Sequence, residues 1–511
     1  MKMDQAFLEY SALDSACTLE IRNECWPSLS GGFKTAYDLT MKILPVLMFM
    51  QTRGVKVDRN ALEQTKVDVL RNASEKQDEL NTLCGRALNV QSSKDCQKYF
   101  YDELRIPPYK SAKGTTTCDD LALQRLVRGT VARPSLRQAK LVQDIRGLKK
   151  LYGTYLDLEF DADDRLRCSY NPRGTKFGRL SSSKTIFGTG TNFQNLPPEF
   201  KAFLVPDEGY VFLEVDKRQA EWVVVAYATG DANMISAIEN KVDVHVHTAS
   251  LMFDVPKEVV EYDAKLIGHM TDVDAIKDIR LGDQILRGFY SNSWPRGMAL
   301  RQCGKKSNHG LNYDEGPNGF AMINEIDQAE AKRIVNMYHN IYPGIRIWYE
   351  SVKRLLQKDR TLTNCFGRTV RFLDAWNDSL WKSAYSMLPQ STVVDSLNQG
   401  MVEMYEDTWL TRTVNADILA QVHDSVLLQI PISEMKVQVT FDKIMRLITY
   451  YTSPDIFYSG RDFKIASDFK VGLNWGGGHK ERNPIGMVEI KNYNDFMTAL
   501  NGWEAHGEGA K

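Results

Sequence analysis

Apolar residues recur at helical spacing through most of the first 150 positions. Tyr37 to Gln51 is strongly apolar and is stopped by Gly54. Asp58 stands where a helix N-cap belongs, ahead of Leu62, Val69, Ala73 and Leu80, which form one stripe and predict helix packing rather than chemistry. Residues 1 to about 30 carry a shorter helical pattern that ends near Pro27 and a break at Gly31-Gly32. Pro107-Pro108 and Gly114 mark a loop, and another helical stretch follows. From about residue 166 the pattern changes to short strands and turns rich in Ser, Gly and Asn. Tyr210 to Asp216 predicts a mostly buried strand that ends on a carboxylate, and residues 228 to 372 are mainly helical. Ile418 to Val422, then His423-Asp424, then Ser425 to Ile430 predicts strand, tight turn and strand, with an aspartate again presented at the turn. There is no internal repeat, and the last residues, Gly507 to Lys511, are expected to fray.

A chain of 511 residues should form several subdomains around more than one core. Its 43% hydrophobic and 25% charged content is that of a globular protein. The richest apolar window, Ile43 to Met50, is far too short to cross a bilayer, and the first residues resemble neither a signal nor a transit peptide. A cytoplasmic protein without a membrane partner is expected. The eight cysteines are scattered with no Cys-x-x-Cys pair, which predicts reduced, metal-free thiols.

A net charge of −1 argues against nucleic acid as a partner, but its distribution does not. Leu121 to Gly153 holds eight basic residues against the single acid Asp144, and Arg165 to Lys184 holds six with no acid. Such stripes suit a phosphate backbone, and a solvated helix face is the alternative.

Asp216 and Asp424 are the first chemical clue. Rigid strand ends that bring two carboxylates together can hold a pair of Mg²⁺ ions for phosphoryl transfer, for which polymerases are a standing example. Between them lies Arg301-Gln-Cys-Gly-Lys305-Lys-Ser-Asn-His309-Gly-Leu-Asn-Tyr313. Four-residue steps on a helix advance only about 40°, so Arg301, Lys305 and His309 share a face; the guanidinium and ammonium suit a polyphosphate, and a solvated basic face is the alternative that spacing alone favours. Gly304 and Gly310 weaken that helix and suggest close approach of another molecule.

Together these residues resemble DNA polymerase family A, the polymerase I-like enzymes, from about Ala36 to Gly478. Asp216-Lys-Arg-Gln219-Ala-Glu221 is similar to the family's first catalytic motif, Asp-Tyr-Ser-Gln-x-Glu. Arg301-x3-Lys305-x3-His309-Gly310-x2-Tyr313 resembles its nucleotide-binding helix, and Gln421-Val-His423-Asp424 its third motif. Gly178-Arg179-Leu-Ser-Ser-Ser183, followed by Asn195-Leu-Pro197, resembles the primer-side segment. Tyr342-Pro-Gly344, Phe366-Gly-Arg368 and Pro389-Gln390 follow in the family's order.

The resemblance implies an α+β right-hand polymerase fold with an antiparallel-sheet palm, a helical thumb and helical fingers. The thumb would span 31–165, the palm 166–227 and 373–480, and the fingers 228–372 with an insertion near 263–297. Residues 481–511 would be a C-terminal extension. Asp216 and Asp424 would be the catalytic metal ligands, with two Mg²⁺ as cofactor. Arg301, Lys305 and His245 would contact the triphosphate, joined in the substrate site by Gln219, His309 and Tyr313. Glu221 would lie under the incoming sugar and exclude a 2′-hydroxyl. Arg179 and Gln390 would probe the minor groove, with His423 also on the DNA side. The implied substrates are primer–template DNA and dNTPs, and a monomer is expected.

Several positions depart from the family. His309 stands in place of an aromatic residue beside the sugar, Ser425 in place of a glutamate, and Lys382 and Ser386 in place of Arg and Asn. Asp314 stands in place of Gly. Altered fidelity or efficiency is expected from these, with the metal ligands intact. Tyr10-Ser-Ala-Leu-Asp14 resembles the last motif of the proofreading exonuclease. Residues 1–30 are therefore expected to be a relict of that domain, without 3′–5′ activity, or a dock for a separately encoded exonuclease. A phage replication enzyme in a bacterial cytoplasm is the analogy. Two other readings compete: a single-subunit RNA polymerase, favoured by Ser425 and opposed by Glu221, and an inactive DNA-binding replication scaffold, opposed by the intact aspartates.

Overall fold

The computed structural model describes residues 5–111, 114–128, 136–267, 280–281, 284–285, 299–324 and 326–507. Its centre is a five-stranded antiparallel sheet with Tyr210–Lys217 in the middle. Ser425–Pro431 pairs with residues 210–216 of that strand on one side, and Ser467–Gly472 with residues 212–217 on the other. Asp417–Val422 and Val488–Ile490 form the two edges. Val211, Phe212, Leu213 and Val215 are all buried, so both faces of the central strand are covered, which explains its near-continuous apolar run.

Three large clusters of buried side chains divide the molecule. One lies against the sheet and joins Phe212, Leu427 and Phe441. A second, containing Trp222, Phe320, Tyr338 and Trp348, belongs to the helices between the strands. A third, around Leu80, Phe100, Leu126 and Val142, belongs to the N-terminal helices. The chain thus folds around three separate large cores. The 29-residue helix Asp378–Glu406 packs against Gly31–Arg53, Ala220–Thr229 and Gln438–Thr452, tying the first two cores together.

The sequence pattern locates most of these elements, with differences at the ends. Asp58 caps Arg59–Cys84 by accepting a hydrogen bond from Ala61 N at 3.0 Å, and Leu62, Val69, Ala73 and Leu80 are its buried stripe. Gly31-Gly32 begins the Gly31–Arg53 helix instead of breaking the chain. Gly32 is needed there because the Thr361–Thr363 and Thr369–Arg371 hairpin crosses it, and a Cβ would lie 1.8 Å from Thr369 Oγ1. The Gln5–Cys25 helix has no buried residue. Most of the expected 263–297 insertion lies outside the described residues.

The basic runs are less free than their sequence suggests. Arg146 points inward, donating to Val90 O at 2.6 Å and Cys118 O at 2.8 Å. Arg137 pairs with Glu79, Lys140 with Asp144, Arg165 with Asp207, and Arg167 with Asp161 and Asp163. Glu79 and Asp207 come from distant segments, while Asp144, Asp161 and Asp163 lie within or just beside the runs they neutralise. Among the described residues, no helix is long and apolar enough to cross a membrane.

Candidate active site

The central strand sets Asp216 between two neighbours, Ser425 on one adjoining strand and Asp468 on the other. Asp424 arrives beside it through the turn that precedes Ser425. That turn is pinned on three sides: His423 N donates to Gln194 Oε1 at 2.8 Å, Gln421 Nε2 donates to His423 O, and Lys217 N donates to Asp424 O at 3.1 Å. His423 and Gln219 both hold left-handed backbone, at φ 52° and 49°. Such non-glycine conformations cost on the order of 1 kcal/mol or more each and persist where the surroundings fix them. Here they turn the chain sharply after each aspartate-bearing strand.

Burial pushes the Asp216 carboxyl up to about 6, and Glu214, Asp424 and Asp468 add to the rise against the opposing effect of Lys470. Asp424 Oδ1 is buried without a hydrogen-bond partner, with Arg179 Nη2 at 3.9 Å. Crowded carboxylates and a bare buried oxygen are the donor set a hard divalent cation takes, so Asp216 and Asp424 fit the implied metal.

The opposite wall is the helix Leu300–Leu311. Cys303, Gly304, Ser307, Asn308 and Leu311 face inward, leaving Arg301, Lys305 and His309 on the outer face. Asp263 Oδ2 accepts from Leu300 N at 2.6 Å and holds the start of the helix. A Cβ on Gly304 would lie 2.2 Å from His245 O, and one on Gly310 would lie 2.0 Å from the Glu315 carboxylate. The close approach expected at these glycines is therefore made by the chain itself, not by another molecule. His245 is fixed by Asn308 Nδ2 at 3.0 Å from its Nδ1 and lies 6.0 Å from the His309 ring. Burial pushes His245 down to about 4, so its ring is neutral at pH 7. Burial also lowers His309, with Lys305 acting in the same direction.

Glu221, in the first turn of Ala220–Thr229, accepts hydrogen bonds from the Tyr313 hydroxyl and from Arg179 Nη2. Tyr313 is held well above the usual phenol range by burial and by that carboxylate. A cleft of about 250 Å³ gathers Asp216, Gln219, Glu221, His245, Lys305, His309, Tyr313 and Asp424 along its walls. Arg179 meets it through Glu221 and Asp424.

Three expected residues stand apart. Arg301 Nε and Nη2 are engaged by Asp243 Oδ2 at 2.9 and 2.8 Å, and Arg301 does not line the cleft. Gln390 is half-buried on the Asp378–Glu406 helix, away from the cleft lining, and His423 is exposed at the turn. The sequence reading missed Lys217, Asn308 and Asn312, which also line the cleft, and the tie from Asp263 to Leu300. Asn308 and Asn312 follow Lys305 at three and seven positions, on the inner border of its face, and that spacing was the available sign.

This sheet, with carboxylates at its centre and a cationic helix facing them, is the fold of the right-hand polymerases. The family model for DNA polymerase family A matches residues 59–267 and 296–477. The chain belongs to DNA polymerase family A. DNA polymerase I of Pseudomonas aeruginosa is 25% identical over 508 residues, covering 94% of this chain and 49% of that protein. The thermostable DNA polymerase I of Thermus thermophilus is 26% identical over 407 residues, covering 76% and 42%. The chain thus spans about half the length of the curated relatives it matches, or less. The polymerase domain of Pol1 from M. smegmatis, solved with DNA primer-template and dNTP, shares the fold at a TM-score of 0.67 and 22% identity, over 85% of this chain and 70% of that one.

Proposed function

We propose that this chain is a DNA-directed DNA polymerase that extends a primer 3′ end with dNTPs during DNA replication, acting as a monomer in the cytoplasm. The observation that carries the reading is the single cleft shared by Asp216 and Asp424 with Lys305, His309 and Tyr313. Thumb, palm and fingers would occupy 31–165, 166–227 with 373–480, and 228–372.

Asp216 and Asp424 are the residues that would hold Mg²⁺, and a bound pair supplies activation of the primer hydroxyl and charge relief for the leaving pyrophosphate. Lys305 presents its ammonium on the exposed face of the helix for the triphosphate, with neutral His245 as a hydrogen-bonding neighbour. Arg301 joins them once released from Asp243. Glu221, braced by Tyr313, occupies the space a ribose 2′-hydroxyl would need. Arg179 is drawn from Glu221 toward the minor groove when duplex enters, with Gln390 and His423 completing the DNA side. Minor-groove acceptors recur on every base pair, so such contacts sense pairing geometry without reading sequence.

The proposal includes no 3′–5′ proofreading. Tyr10 and Asp14 lie on a helix without a buried residue, and a metal-dependent nuclease needs carboxylates held rigidly out of bulk water. The deciding experiment is extension of a labelled primer with dNTPs against NTPs, scored for longer and shorter products. Extension with dNTPs supports the reading. Extension with NTPs alone selects the RNA-polymerase alternative, and binding without extension selects the scaffold.

A further inference from the structure

The segment that carries Arg179 into the cleft continues through the strand Ser181–Ser183 into a tight turn whose chemistry is unusual. Gly188 N donates to Thr185 O at 3.0 Å, and Thr185 N to Thr189 O at 3.0 Å, closing a hairpin around Ile186 and Phe187. The Thr185 and Thr189 hydroxyls meet at 2.9 Å. Central turn positions favour Pro, Asp, Asn, Ser or Gly, because these fit the backbone and are easily solvated. Here they hold two large apolar side chains that are 88% and 84% exposed, the two most exposed large hydrophobics among the described residues.

The base of this hairpin is anchored. Ser182 Oγ donates to Asn192 Oδ1 at 2.7 Å, and Thr191 N to Arg167 O at 3.3 Å. Gly190, at φ 74°, passes so close to Arg167 that a Cβ would lie 1.9 Å from its carbonyl oxygen. The tip is therefore presented on a fixed stalk, and Ile186 and Phe187 gain nothing from the chain's own core.

We propose that Ile186 and Phe187 form an apolar wedge that enters the minor groove of the primer–template duplex, an inference that rests on the polymerase reading above. Three features select duplex DNA as the occupant. Arg179, on the same segment, touches Glu221 and lies 3.9 Å from Asp424, so one end of the segment is at the proposed primer terminus. No acidic residue occurs from Arg165 to Pro198, and exposed Lys184 flanks the tip. Ile186 lies seven positions beyond Arg179. That length reaches at most about 25 Å, or about seven base-pair rises of 3.4 Å. Phe and Ile are among the residues that part base steps in the minor groove, and contact with base faces tolerates any sequence, as a copying enzyme requires.

The test uses the full chain and primer–template duplexes with 2-aminopurine placed in turn at one to about seven base pairs behind the primer 3′ end. Wild-type protein should raise the fluorescence at one or two adjacent positions, where a base is unstacked. Ile186→Ser/Phe187→Ser should lose that rise and bind the duplex about tenfold more weakly. Its salt dependence should be unchanged, because no phosphate contact is removed. Phe187→Leu should retain the rise, and thermal midpoints should agree because the tip is exposed. A flat scan on DNA that the wild type binds and extends overturns the wedge alone. A wild type that neither binds nor extends the duplex overturns the polymerase reading and the wedge with it. A double variant with unaltered DNA affinity but lost self-association in sedimentation assigns the tip to a second copy and also overturns the proposal.

Discussion

Arg179 Nη2 stands 3.9 Å from Asp424 Oδ1 while donating a hydrogen bond to Glu221. One guanidinium therefore links the proposed metal carboxylate to the proposed sugar gate. Without DNA it offsets negative charge at both places, and the same group is the one expected to turn toward the minor groove.

Replacing Asp216 or Asp424 with Ala should abolish primer extension and leave duplex binding largely intact. Both carboxylates are proposed to serve a metal needed at the chemical step, and as anions they offer duplex phosphates no attraction. Gel-shift and single-turnover assays on folded variants check this. Appreciable synthesis by either variant removes that residue from the catalytic assignment.

Replacing Glu221 with Ala should admit ribonucleotides, with a smaller effect on dNTP use, since the side chain is proposed to work against the wrong substrate. Tyr313→Phe should move in the same direction but less far, because it removes only the brace. The ratio of kcat/KM for dNTP and NTP is the readout, and an unchanged ratio in Glu221→Ala places the gate elsewhere.

Lys305→Ala should depress incorporation far more than DNA binding. Hydrogen bonds to charged groups are worth about 1.5–3 kcal/mol, a loss of roughly one to two decades. A variant that binds DNA poorly yet turns over nucleotides normally would move Lys305 to the duplex track.

Asp263 gives a pH-dependent prediction. Burial pushes its carboxyl up to about 6 from an ordinary 3.8, while it accepts a hydrogen bond from Leu300 N. The folded chain then holds this proton more tightly than the unfolded one. Ionisation costs stability above pH 6, and the cost disappears as pH falls toward 4. Asp263→Asn keeps an acceptor for Leu300 and removes the charge. It should be more stable than the parent at pH 8 by about 2–3 kcal/mol, with the gap closing near pH 4. Denaturant titrations at both pH values measure it, and a gap that does not vary with pH rejects the buried-charge account.

The strands bearing Asp216 and Asp424 were legible because their patterns are local, an apolar run ending on a carboxylate. The Arg301, Lys305 and His309 face followed from helical periodicity in the same way. Pairings between distant residues were not legible. Arg301 meets Asp243 and Arg179 meets Glu221 across 58 and 42 positions, and a charge gives no sign in sequence of which partner it will find. The basic runs misled for the same reason, since Asp207 and Glu79 come from other segments. Gly304 was expected to meet another molecule and instead meets His245 O of the same chain, because one sequence cannot say which surface approaches.

The C-terminal strand and helix govern how the polypeptide can be handled. Val488–Ile490 closes one rim of the sheet, and Tyr493–Ala505 seats Phe496, Leu500 and Trp503 in the core against it. Trimming after Gly478 would bare the Ser467–Gly472 strand, one strand away from Asp216, as a row of unpaired amides and carbonyls. Such rims are adhesive and draw chains into aggregates. Surface labels and tethers belong instead on the Gln5–Cys25 helix, where no residue is buried and this packing is left undisturbed.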